Sequence, residues 1–123
     1  MFQNKKEIVG THYYEFQYCK KEKSFEELFK NLKNWEEDSL YLNEMDNETM
    51  YLFEEKYLNY FLNTLTPNGK HQYDPFGDNY YSKEQSKSIL NELLVTDLPD
   101  KNVFCKWLKK CVENYNGFYI LGI

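Results

Sequence analysis

Ile8-Val9-Gly10-Thr11-His12-Tyr13-Tyr14-Glu15-Phe16-Gln17-Tyr18-Cys19 is the stretch that decides the fold class. β-branched and aromatic residues dominate it. Tyr14, Phe16 and Tyr18 alternate with Tyr13, Glu15 and Gln17, which is the period-2 pattern of a strand. The charged run Lys20-Lys21-Glu22-Lys23 closes it as a turn. A lone strand cannot satisfy its own backbone hydrogen-bonding groups, so it needs a partner. The other β-like segment is Phe118-Tyr119-Ile120-Leu121-Gly122-Ile123, apolar enough to be buried on both faces. Pairing the two puts the N- and C-terminal segments into one small sheet.

The chain between them reads as helical. Ser24-Phe25-Glu26-Glu27 is a capping box, and Phe25, Leu28, Phe29, Leu32 and Trp35 follow at helical spacing, so a first helix is expected over 25–37. Residues 38–47 lose the period and read as a loop or a short turn of helix. Asp46 or Asn47 can cap a second helix with Leu58, Phe61, Leu62 and Leu65 on one face, ending before Pro67. Residues 66–81 carry two Pro, two Gly and no period, a long loop of the kind that is often functional. Ser82-Lys83-Glu84-Gln85 is another capping box and opens a third helix with Ile89, Leu90, Leu93 and Leu94 inward. Pro99 suits the first turn of a fourth, in which Val103, Phe104, Trp107, Leu108, Cys111 and Tyr115 share a stripe that Asn116-Gly117 ends. The expected architecture is α+β: about four helices packed with a small sheet formed by the N- and C-terminal strands, in a single domain over 1–123.

Charge is distributed unevenly. Residues 24–55 hold ten acids against two lysines, a local charge of −8 in a chain whose net charge is −5. Trp35, Tyr41, Met45 and Tyr51 interleave these acids, which points to an ordered acidic surface rather than a polar tail. Such a surface suits a basic protein partner, because complementary potentials speed encounter and reject wrong partners. The same charge would also serve a solvated helix face. The chain has no Arg and a pI near 5.1, which argues against nucleic-acid binding. The N-terminus lacks an apolar signal-peptide core and no run approaches membrane length, so a cytoplasmic protein with no membrane partner is expected. Cys19, Cys105 and Cys111 lack CxxC spacing and fit buried, reduced thiols.

Catalytic chemistry finds little support. His12 and His71 have no carboxylate or Cys at a ligand spacing, and a structural or surface role is the simpler reading of each. Asp74 and Asp78 flank Pro75-Phe76-Gly77, but too few oxygen ligands alternate for a calcium loop. The glycines are scattered among turns, and nothing assembles a nucleophile, a base and an oxyanion site. No enzyme, cofactor or metal is expected. A small enzyme using Cys19 or His71 is the weakest reading.

Two candidate partner-binding surfaces remain. In the acidic block, Glu36, Glu37, Asp38, Glu44 and Asp46 surround Tyr41 as an apolar anchor. In the 66–81 loop, Asp74 and Asp78 accompany Tyr80 and Tyr81, which serve either as interface aromatics or as a staple at the start of the third helix.

Asp78-Asn79-Tyr80-Tyr81-Ser82, Ser86, Ile89-Leu90, Trp107-Leu108 and the terminal Asn116-Gly117-Phe118-Tyr119-Ile120-Leu121-Gly122-Ile123 together resemble small bacterial immunity proteins. These accompany polymorphic toxins, including those of contact-dependent growth inhibition systems. The resemblance covers roughly residues 75–123 and rests on a capped helix, a Trp-bearing helix and an apolar final strand. It implies an immunity protein that neutralises a cognate toxin, of a basic nuclease type, by stoichiometric occlusion. The alternative is an acidic inhibitor, adaptor or nucleic-acid mimic directed at another basic protein.

Overall fold

The alternating stretch folds as a strand at the middle of a sheet. The structure, a computed structural model, describes residues 2–4, 13–19, 39–43, 47–65, 73–74, 76–98 and 101–121. In chain order its elements are β1 (Phe2–Asn4), β2 (Tyr13–Tyr18), β3 (Leu40–Asn43) and α1 (Asn47–Leu52), which continues as a π-helical segment (Phe53–Leu62). Then come β4 (Asp78–Tyr81), α2 (Lys83–Leu94), α3 (Lys101–Asn114) and β5 (Phe118–Leu121). The strands form one antiparallel sheet in the order β1-β3-β2-β5-β4.

The expected pairing of N- and C-terminal segments is present: Glu15 faces Leu121, Phe16 faces Ile120 and Tyr18 faces Phe118. The sheet is larger than expected. Leu40–Asn43, read as loop, is a strand between β1 and β2, and Asp78–Tyr81, read as the end of a loop, is the edge strand beside β5. Both are four residues long, too short for a period to show, and pairing with longer neighbours forms them. Among the described residues there are three helices rather than four; the helix expected over 25–37 lies outside them.

Tyr14, Phe16 and Tyr18 point to the helical side, where they join Phe53, Phe104, Trp107, Ile89 and Leu93 in the main core. The helices reach it through the residues their patterns nominate, with two corrections. Leu94 and Val103 were expected inward but are 56% and 44% exposed, because they lie where α2 ends and α3 begins, beyond the sheet's cover. The first helix widens into π geometry, with Asn63 N–H donating to Leu58 O at 2.7 Å. Phe53, Tyr57 and Phe61 are buried at intervals of four. A fourth-residue step overshoots a full α turn, and the wider π turn keeps these rings in line against the sheet.

The Ser82–Gln85 capping box forms as read, while the Ser24–Glu27 box, Asp46 and Pro99 lie outside the described residues. Gln85 N–H donates to Ser82 Oγ at 3.1 Å while Ser82 N–H donates to Gln85 Oε1 at 2.8 Å. Lys101 Nζ donates to the carbonyls of Leu94 and Thr96, a cation at the C-terminal end of α2. Gly117 ends the α3–β5 turn with φ +107°, and a Cβ there would lie 2.1 Å from Tyr81 O. Gly117→Ala is therefore expected to lower stability by more than the ~1–3 kcal/mol of a strained backbone site, since the clashing atom is backbone and cannot move aside. Urea unfolding read by Trp fluorescence checks this; an unchanged midpoint would mean that the turn is looser than its geometry.

Candidate interaction surface

The described part of the 66–81 loop is a pinned turn. Asp74 Oδ1 accepts from Phe76 N–H at 2.9 Å, and Asp74 N–H donates to Asn79 Oδ1 at 2.8 Å. Asn79, fully buried, sends its Nδ2 to the carbonyls of Asp74 (2.8 Å), Gly77 (3.3 Å) and Ile120 (3.3 Å). One buried amide thus ties the turn to itself and to the neighbouring strand. On this frame Phe76 is held 82% exposed, with Asp74 and Asp78 exposed on either side. A ring fixed in place before binding loses little freedom on contact. Burial and, less strongly, the Asp74 carboxylate raise the Asp78 carboxyl above its ordinary value.

The first helix lies close by. Burial raises the Tyr73 hydroxyl most, followed by the Tyr14 and Tyr81 hydroxyls and the carboxylates of Asp74 and Glu54. Tyr73 therefore sits within electrostatic reach of both the turn and the helix. On that helix Glu48 and Glu54 are exposed and Tyr51 is 66% exposed, with Tyr60 at 64% further along. Glu48 and Glu54, three residues to either side of Tyr51 on the helix, put carboxylates beside an exposed ring there too, a combination that suits a cationic partner.

The residues nominated from sequence divide three ways. Glu36, Glu37, Asp38, Glu44 and Asp46 lie outside the described residues. Asp74 and Asp78 are exposed on the turn. Tyr80 is half-buried and donates from its hydroxyl to Asn116 O at 2.6 Å, so its ring is tied to the α3–β5 turn. Tyr41 and Tyr81 are corrections. Both are fully buried, Tyr41 because β3 is an interior strand and its hydroxyl donates to Glu15 Oε1 at 3.1 Å. Tyr81 stacks on Phe118 at 4.9 Å and acts as a staple beneath α2, not as an interface ring. Among the described residues the exposed aromatics are Phe76, Tyr51 and Tyr60 instead. Phe76 was legible only as the centre of a failed calcium loop, and Tyr51 only as one aromatic in the acidic block.

Nothing among the described residues groups three or more His, Cys, Asp or Glu side chains around a potential metal position. The three cysteines are buried and form no disulfide. Burial pushes the Cys111 thiol up to about 12, against smaller lowering by Ser86, and also raises Cys105. Such thiols stay protonated at neutral pH and are weak nucleophiles. No helix among the described residues is long and apolar enough to cross a membrane. Comparison with protein-family models, curated proteins and solved structures finds no match for this chain.

Phe76→Ala should leave folding stability within about 0.5 kcal/mol, while Asn79→Ala should cost about 2 kcal/mol by stranding buried partners. Denaturant unfolding of the two variants separates presentation from support. For Asp78, a folded pKa above the unfolded value means that the folded state binds the proton more tightly, so ionisation above that range opposes folding. Asp78→Asn should raise the melting midpoint slightly at neutral pH, and the gain should vanish as pH falls through the carboxylate range. Melting curves from pH 3 to pH 8 test the sign.

Proposed function

We propose that this protein is a bacterial immunity protein that binds a cognate, basic, nuclease-type toxin domain in the cytoplasm and neutralises it by stoichiometric occlusion. The observation that carries this reading is Phe76, held 82% exposed between two carboxylates on a turn that a buried amide makes rigid. A rigidly presented ring flanked by carboxylates suits a partner that offers an apolar pocket with a cationic rim. Glu48, Tyr51 and Glu54 extend the same chemistry onto the first helix. The resemblance of the second half of the chain to immunity proteins adds support. Carboxylates gathered around exposed rings favour toxin binding over mimicry of a nucleic-acid backbone, which would space its charge along one extended face.

The test is co-expression with a toxin domain encoded beside this chain, scored by growth protection, with stoichiometry from titration calorimetry. Replacing Glu48, Glu54, Asp74 and Asp78 by their amides should slow association and flatten its salt dependence. Phe76→Ala should mainly speed dissociation, by about 2 kcal/mol if it is a hot spot. Amide replacement of Glu36, Glu37, Asp38, Glu44 and Asp46 forms the second arm. Protection that survives every one of these changes would sink the reading.

A further inference from the structure

Glu15 lies in β2 on the face of the sheet opposite the helices and is 7% exposed. Its Oε1 accepts from Gln17 Nε2 at 2.7 Å and from the Tyr41 hydroxyl at 3.1 Å. Both donors are neutral, and among the described residues no cation pairs with it. Ser39 is 1% exposed and its Oγ has no hydrogen-bond partner. Because Leu40 faces Phe16, the same register continued by one residue sets Ser39 opposite Gln17. Standing two residues before Tyr41, Ser39 shares the face on which Tyr41 meets Glu15. The register puts three further oxygens on that face: Ser39 Oγ, buried without a partner, and Glu15 Oε2 and Gln17 Oε1, which accept neither of the bonds just described.

We propose that these oxygens bind a small monovalent cation, an ammonium or alkali ion. A buried carboxylate with only neutral partners is costly, and a counter-charge removes the cost. Carboxylate, amide carbonyl and hydroxyl oxygens together suit a hard cation. One carboxylate balances one charge, whereas calcium takes six to eight oxygens and is usually held by several acids. Residues this buried exclude a partner's side chain and admit a bare ion. A water molecule would satisfy Ser39 but leave the carboxylate charge uncompensated, and is the competing occupant.

Thermal unfolding of the full chain at one ionic strength in choline, sodium, potassium and ammonium chloride decides between them. At least one small cation should raise the midpoint by about 3 °C or more over choline, and the order of the three identifies the ion. The rise should be absent in Glu15→Gln and smaller in Ser39→Ala, and should persist in Asp74→Asn, whose carboxylate lies on the surface turn. Equal midpoints in all four salts, or a rise that survives Glu15→Gln, would overturn the site in favour of water. Should Glu15→Gln not fold, an undiminished rise in Ser39→Ala overturns it equally.

Discussion

The ring of Phe16 is the contact on which the rest of the fold leans. Fully buried, it meets Phe2 of β1, Phe53 of the first helix, Phe104 and Trp107 of α3 and Phe118 of β5. Most of these contacts are edge-to-face, the geometry that the ring quadrupole favours, and each adds to the area it buries. Removing such a ring costs about 3–5 kcal/mol, a large part of a domain's 5–15 kcal/mol. Early and late parts of the chain therefore become stable together, since neither half owns this core.

From that centre the order propagates to the surface by identifiable links. Tyr18, two residues on, stacks on Trp107 at 4.2 Å and on Tyr115 at 4.3 Å, and donates to Trp107 O. Cys19 then exchanges backbone hydrogen bonds with Asn116 and Gly117, fixing where β5 starts. β5 positions β4, and Asn79 of β4 carries the constraint outward from Ile120 O to the Asp74–Gly77 turn. The turn that presents Phe76 is thus an outgrowth of the core, linked step by step to Phe16.

Periodicity revealed the elements that own enough residues to show it. β2, α2 with its Ser82–Gln85 box, and α3 with its Phe104–Cys111 stripe were readable because each repeats its period at least twice, and β5 because an unbroken apolar run needs no period to be seen. β1, β3 and β4 were not, since three or four residues hold no period and their pairing is decided by neighbours. The same blindness misplaced Tyr41 and Tyr81: a tyrosine beside acids reads as an interface ring until a strand turns it inward. Phe76 went unnoticed for the opposite reason, because exposure depends on the Asn79 bonds and sequence does not display them. The π widening of the first helix left only a trace, the four-residue spacing of Phe53, Tyr57 and Phe61.

The two sides of the molecule meet charge differently, and that contrast bears on function. In the interior Glu15 accepts from neutral donors of β2 and β3, which satisfy hydrogen bonds but leave the charge that the proposed cation would balance. On the surface Asp74 and Asp78 stand close enough for one to raise the other, a repulsion that folding does not relieve. Evolution could lower that repulsion with a single amide. Retaining it beside an exposed phenylalanine fits the proposed interface, where one partner both apolar and cationic would cover the ring and ease the repulsion together. An acidic surface kept only for solubility would need neither the adjacent ring nor the buried asparagine that holds the turn still.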